Sequence, residues 1–453
     1  MQQSRTSSLN EGVRRREVFG WAMYDFANSG YSTVVLTAVF NAYFVGVVAG
    51  GAAWGTLAWT SALAFSSALV MFSMPAIGAY ADLRAAKKRL LVFSTVGCVA
   101  ATALLALAGP GDLWLAVLAI VLSNLFYSYG ESLIAAFLPE LARRDALGRV
   151  SGWGWSFGYF GGMLTLGLSL GYVIWAQGQG QSARQFVPVT MLITAVIYAL
   201  ASIPTFLLLR ERAVPRPGAA AAGFGTSLRR LAETWREARR YRDFVWLMAC
   251  AVAYQAGIAV VVALAAIYAE QVLGFKQMDT MTLVFLVNIA SAAGAFAFGY
   301  WQDRIGHRPA LAVTLVGWIV MTLMAGFATT TTLFWAAAVL AGLCMGSSQS
   351  AGRALAALLA PEARRAEFFG LWTFAVRLSS IIGPLTYGLV TFVTAGNHRI
   401  AILSTGIFFV IGLLLLTRID VARGMAAAEA ADAGQEGQIS TPDKDAGPAR
   451  LIK

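Results

Sequence analysis

Apolar residues run along this chain in stretches of about 18–28, interrupted by short polar and basic segments. A helix needs about 20 apolar residues to cross ~30 Å of hydrocarbon, so each run predicts a membrane-spanning helix. Twelve spans are predicted, over 18–46, 54–80, 90–109, 113–137, 151–176, 187–209, 243–268, 281–301, 309–327, 333–358, 367–394 and 399–417. An even number puts both termini on one side. The first run follows Arg14-Arg15-Arg16, as a signal peptide would. It is too long for one, carries Asp25 and Asn28, and has no small-residue cleavage site within reach. It therefore reads as a retained first span.

Composition agrees with the pattern. The chain has 453 residues, 58% hydrophobic and 13% charged, where a soluble domain carries about 25% charge. The expected class is an all-α membrane protein. The net charge of +11 would suit a nucleic-acid partner in a soluble protein. Here the basic residues collect on one side of the predicted spans, at 14–16, 84–89, 143–149, 210–242, 304–308 and 364–365. Only Arg184, Lys276 and Arg399 fall on the other side, and Arg353 and Arg377 fall within spans. The positive-inside rule makes the basic side cytoplasmic, with both termini, and no nucleic acid is needed to explain the charge. Arg far outnumbers Lys and Ala is abundant, as in GC-rich bacteria, so the expected location is a bacterial cytoplasmic membrane.

Several chemistries are excluded early. None of Lys87, Lys88, Lys276, Lys444 and Lys453 precedes Ser or Thr, so no phosphate-binding loop of the Gly-Lys-[Ser/Thr] type is present. Cys98, Cys250 and Cys344 lie within apolar runs without metal-ligand spacing, and the chain has two histidines. No enzyme, metal site or cofactor is expected.

The chain repeats itself. Gly78-x-x-x-Asp82 with Arg84 follows span two, and Gly299-x-x-x-Asp303-Arg304-x-Gly306-x-Arg308 follows span eight. Pro139-Glu140 with Arg143-Arg144 follows span four, and Pro361-Glu362 with Arg364-Arg365 follows span ten. Two tandem six-helix halves account for this. The expected organisation is a cytoplasmic segment 1–17, a bundle 18–209, a linker 210–242, a second bundle 243–420 and a disordered tail 421–453. In the linker, Leu228, Leu231, Trp235, Ala238 and Tyr241 recur at helical spacing, as in an amphipathic helix on the membrane surface.

The paired Gly-x-x-x-Asp segments resemble the signature loop of the major facilitator superfamily. The first copy departs from it, with Ala85-Ala86 where a glycine is expected. A narrower resemblance rests on Trp21-Ala-Met-Tyr24-Asp25-Phe-Ala-Asn28-Ser-Gly30-Tyr31, Arg149-Val-Ser-Gly152-Trp-Gly154-Trp, Gly158-Tyr-Phe-Gly161-Gly162, residues 349–353, Glu367-Phe-Phe-Gly370 and Gly383-Pro384. These are similar to the vacuole effluxer family, whose eukaryotic members are associated with amino-acid efflux. The resemblance implies two pseudo-symmetric six-helix bundles around a central cavity lined by spans one, four, seven and ten. It also implies that Gly78, Asp82, Arg84, Gly299, Asp303, Arg304, Gly306 and Arg308 form gates at the inner mouth, with Glu140 and Glu362 as charge partners for the basic residues.

Four ionisable residues lie within spans: Asp25, Glu131, Arg353 and Arg377. Each costs about 2.5–3.5 kcal/mol at a helix centre, so each should face a cavity or a partner. A zwitterion needs a carboxylate for its ammonium and a guanidinium for its carboxylate. Arg377 is the expected carboxylate site, and Asp25 or Glu131 the ammonium partner or proton carrier. Glu131 and Arg353 are related by the repeat, and an ion pair between them locking the inner gate is the structural alternative. Asn28, Asn124, Asn288, Gln349 and Tyr24 are lesser binding candidates, and Tyr127, Trp153 and Trp155 could form an aromatic wall. The Gly154, Gly158 and Gly162 face of span five reads as close packing, with sliding against the other half as its functional alternative.

The expected function is secondary active transport of a small polar solute, an amino acid as first choice, outward and coupled to protons. The alternatives are a drug or organic-cation exporter and a non-transporting sensor or scaffold. The expected partners are the bilayer, the solute and protons, and the chain is expected to act as a monomer.

Overall fold

The computed structural model describes residues 8–52, 54–213, 240–275, 277–395 and 397–440. The amphipathic linker helix expected around Leu228 and Trp235, and Lys276, lie outside the described residues. Twelve long helices cross the molecule: α1 (Arg15–Tyr31), α2 (Gly55–Arg84), α3 (Lys87–Leu104), α4 (Leu113–Ala135), α5 (Leu147–Gly178), α6 (Ala183–Leu208), α7 (Arg242–Leu273), α8 (Gln277–Ile305), α9 (His307–Gly326), α10 (Thr331–Leu359), α11 (Arg365–Val393) and α12 (His398–Leu416). Each is apolar and long enough to span a bilayer, the first only together with its continuation to Val48. No strand longer than the isolated Leu9–Ala142 bridge occurs among the described residues.

The two halves repeat one packing plan. Helix α1 packs on α5 and α6, as α7 packs on α11 and α12. Helices α2 and α3 pack on α4, as α8 and α9 pack on α10. The halves meet most extensively along two contacts that the same symmetry relates, α2 with α11 and α5 with α8. Gly154, Gly158 and Gly162 face Asp25, Ser29 and Thr33 of the first span. Their stripe therefore packs within the first half and does not slide against the second.

The first span is not one regular helix. Beyond Tyr31 it continues as π-type turns over Ser32–Ala38 and Phe44–Val48, interrupted at Val39. Such wide turns often occur at functional sites. Here the first of them carries Ser32, Thr33 and Thr37 onto the central cavity, and Asn41 follows from the short α-turn Phe40–Tyr43.

Over 421–440 the tail departs from the sequence-based expectation of disorder; residues 441–453 lie outside the described residues. Val421–Ser440 form a helix, α13. Alanine supplies high helix propensity, and Ala428 and Ala431 are buried. Arg423 anchors the helix, donating to both carboxylate oxygens of Asp243 at 2.7 and 2.8 Å.

Candidate functional site

A cavity of about 2010 Å³ lies between the halves. It runs from residues deep in the bundle, Asp25, Glu131, Arg353 and Arg377, to the helix ends remote from the signature loops, at Asn41, Gln177 and Thr282. The loop side is closed.

Both deep acids come from the first half, and both arginines from the second. Arg353 on α10 meets Asp25 on α1, with its Nη1 donating to Oδ2 at 2.7 Å. Its Nε donates to Ser151 Oγ at 3.1 Å and its Nη2 to the Ser151 carbonyl at 2.8 Å. The guanidinium also lies 4.8 Å from the Trp21 ring centroid and 5.3 Å from that of Trp155. Gly154 keeps this socket open, because a β-carbon there would press on Asp25 and Trp21. The Arg353 side chain is 7% exposed and that of Asp25 13%.

Arg377 on α11 meets Glu131 on α4 through one bond, Nη2 to Oε2 at 3.0 Å. The Glu131 side chain is deep in the protein yet 41% exposed, into the cavity. Arg377 Nε is buried and has no hydrogen-bond partner among the described residues. The Glu131–Arg353 ion pair anticipated from the repeat is therefore not the one formed. Symmetry places those two residues at matching depths on α4 and α10, but the lateral neighbour of each belongs to a different helix.

The lesser candidates divide sharply. Asn28 lines the cavity and accepts from the Tyr198 hydroxyl at 2.5 Å. Gln349 lines it and exchanges two amide hydrogen bonds with Gln255, at 2.8 and 3.2 Å. Asn288, Tyr127 and Trp155 also line it. Asn124 instead donates to Ser66 Oγ at 3.1 Å, buried away from the cavity. Tyr24 is wholly buried against Thr95 and Tyr198. Trp153 donates to the Tyr300 hydroxyl outside the cavity. The sequence reading missed Gln255, Ser151 and Trp21 as site residues. For Gln255 a signal existed, since it is an amide within an otherwise apolar stretch of span seven.

On the loop side, each signature aspartate caps a helix of the opposite half. Asp82, at the end of α2, accepts from the backbone N–H groups of Ala366 and Glu367 at 3.1 and 2.9 Å. Asp303, at the end of α8, accepts from those of Gly148 and Arg149 at 2.9 and 3.1 Å. The first turns of α11 and α5 carry unpaired donors and positive dipole ends, which a carboxylate satisfies. Gly78 and Gly299 permit this approach. A β-carbon at Gly78 would collide with the Ala366 carbonyl, and one at Gly299 would crowd the Gly148 carbonyl at 2.9 Å. Gly306 has φ 91°, and Ala85, at the equivalent place in the first copy, has φ 48°. The glycine missing from the first signature loop is thus a position where alanine is held in the left-handed region that glycine favours.

The basic residues are used unevenly. Glu140 pairs with Lys87, both buried. Glu362 does not reach the second signature loop. Its side chain is 74% exposed and lies 3.4 Å from Arg365. Arg308 donates to the Thr417 carbonyl at 3.0 Å, Arg84 lies over the Tyr80 ring at 5.1 Å, and Arg304 is exposed.

Residues 56–429 match the family described as "Vacuole effluxer Atg22 like". The chain is 28% identical over 402 residues to the uncharacterized MFS-type transporter YxiO of Bacillus subtilis, covering 87% of this chain and 93% of that protein. It is 24% identical over 378 residues to autophagy-related protein 22 of Kluyveromyces lactis, covering 75% and 73%. Among solved structures it is similar to the human organic anion transporter MFSD10 (TETRAN), with TM-score 0.70, 16% identity and coverage of 89% and 99%. It is also similar to the transporter FucP in the outward conformation, with TM-score 0.65, 16% identity and coverage of 89% and 98%. Identities this low show the fold alone, which is the major facilitator fold. The family match spans both halves, from α2 into α13, and so the chain belongs to the vacuole effluxer Atg22-like family of MFS-type transporters.

Proposed function

We propose that this transporter carries a small zwitterionic solute of the amino-acid type out of the cytosol by alternating access, in exchange for protons. The observation that carries this reading is the Glu131–Arg377 pair on the cavity wall. It is a single 3.0 Å bond between the halves, with Glu131 open to the cavity and Arg377 Nε unpartnered. An α-ammonium fits Glu131 and an α-carboxylate fits the planar fork of Arg377. A zwitterion inserted between them replaces one bond by two, and draws the halves together around itself. The amides of Asn28, Gln255 and Gln349 add neutral donors and acceptors on the same cavity.

The Asp25–Arg353 pair has the other role. Each of the three nitrogens of Arg353 already donates to a protein acceptor, and two aromatic rings flank the group, which leaves it less to offer a solute than Arg377. It joins the halves below the cavity. A proton arriving through the cavity neutralises Asp25, weakens its hold on Arg353, and favours separation of the halves on the loop side. The positive-inside rule assigns that side to the cytosol. On this assignment the cavity faces outward, in the state that has released an exported solute and awaits a proton.

The test is exchange of radiolabelled neutral amino acids in proteoliposomes under an imposed proton gradient. Wild-type protein should exchange them, and Arg377→Gln should not. Retained transport of organic cations by Arg377→Gln, with no amino-acid exchange by wild type, would favour the cation-exporter reading.

A further inference from the structure

The tail helix α13 belongs to the second half by its anchors. Arg423 holds Asp243 at the start of α7, and Asp243 also accepts from the Asp420 backbone at 2.8 Å. Gly424 lies against Leu359 at the end of α10. Further along, Asp432 accepts from the backbone N–H groups of Glu362 and Ala363 at 2.8 and 3.2 Å. Those residues open the short turn Glu362–Arg364 that leads into α11. One turn before Asp432, Glu429 reaches the first half and pairs with Arg144. Arg144 opens the matching turn Arg144–Ala146, which leads into α5.

These contacts share one pattern. The two turns that α13 touches are those just upstream of α5 and α11. The N-termini of these two helices receive Asp303 and Asp82 from the opposite halves. Opening the loop side must pull α5 from α8 and α2 from α11, and so must carry Arg144 away from a Glu429 that stays with the second half. We propose that α13 is a latch of the transport cycle, which favours the loop-side-closed state through the Glu429–Arg144 pair and is released each time that side opens.

The pair is exposed on both sides, so the latch adjusts the balance of states and does not fix it. Exposed pairs contribute about 0.2–1 kcal/mol, and charge reversal adds repulsion of similar size. The expected shift for a charge reversal is about two- to thirty-fold in the ratio of open to closed forms.

The experiment uses the full chain in nanodiscs, with Cys98, Cys250 and Cys344 replaced by alanine. Spin labels sit at the exposed positions Arg89 and Arg418, on opposite halves. Pulsed electron–electron resonance reads the distance distribution between them. Glu429→Arg and Arg144→Glu should each enlarge the longer-distance population, and the double variant carrying both changes should restore the wild-type distribution. An unchanged distribution in both single variants overturns the proposal. So does a double variant that stays as open as the singles, because the effect would then not come from the pair. Labelled wild-type and double-variant proteins with equal melting temperatures establish that folding is intact.

Discussion

Two ion pairs join the halves of this molecule at the base of one cavity, and they are built for different purposes. Asp25–Arg353 is enclosed: two bonds to Ser151 and two indole rings complete the coordination of its guanidinium. Glu131–Arg377 is open: one bond, a carboxylate facing the cavity and an orphaned Nε. Charge inventory alone makes them equivalent, since each is one carboxylate and one guanidinium within the membrane. Their surroundings separate them. A guanidinium with a protein acceptor on every nitrogen can lock two surfaces together but has less to offer a ligand. A group left partly unsatisfied beside a cavity loses little by exchanging partners.

The largest test of this contrast removes Arg353. Arg353→Ala strands the Asp25 carboxylate in a nearly closed socket, and breaking a buried pair from one side costs about 3–5 kcal/mol. Thermal unfolding in detergent should show a loss of that order, together with lost transport. The Asp25→Asn, Arg353→Gln double variant should recover much of the stability but not the transport. Second in size is Arg377→Gln. Because Glu131 already faces the cavity, unfolding should shift by about 1 kcal/mol or less. Amino-acid affinity should fall about 100-fold, the worth of a charge-assisted bidentate contact. A variant as unstable as Arg353→Ala would erase the distinction between the pairs.

Smaller effects are expected at the caps. Asp82→Asn and Asp303→Asn each weaken a helix cap across the halves without emptying the position. A cap is worth about 1 kcal/mol, so each change should raise the loop-side-open fraction up to about five-fold, read by cysteine accessibility on that side. The caps serve the same closed state as the Asp25–Arg353 pair, so their effects should not extend to the Glu131–Arg377 site. The smallest change is Asn124→Ala. Interhelical hydrogen bonds of this kind average about 0.6 kcal/mol in membranes, so stability should drop slightly while transport stays unchanged. A transport defect there would show that the cavity is not the boundary of the functional site.

The twelve spans were legible because hydrocarbon thickness imposes a length on every apolar run, and the observed helices follow those runs. The four charges within the spans were legible for a related reason: an ionisable residue in a span must have a use or a partner. Their pairing was not legible. The repeat relates Glu131 to Arg353 by depth, but which side chains meet depends on the rotation of each helix, and the sequence does not print that angle. Rotation also turns Tyr24 and Asn124 from the cavity while keeping Asn28 and Gln349 on it. Ser151 escaped notice because a serine in a span is ordinary; only its two bonds to Arg353 give it a role. The α13 helix escaped because a stretch rich in Ala, Gly, Asp and Glu has no apolar face strong enough to announce burial. Its order comes from specific partners, Asp243, Arg144 and the turn at Glu362, which lie far away in sequence.

The central claim is that a zwitterion exchanges with the open pair while the enclosed pair keeps the halves together. The most direct measurement is thermal stabilisation by a neutral amino acid, compared across wild type, Glu131→Gln, Arg377→Gln and Asp25→Asn. A ligand that binds only the folded state stabilises in proportion to RT ln(1 + [L]/Kd). At a concentration near ten times the wild-type Kd, wild type and Asp25→Asn should be stabilised, and Glu131→Gln and Arg377→Gln should not. Full stabilisation of Arg377→Gln, with its loss in Asp25→Asn, would contradict the account and move the binding site to the enclosed pair.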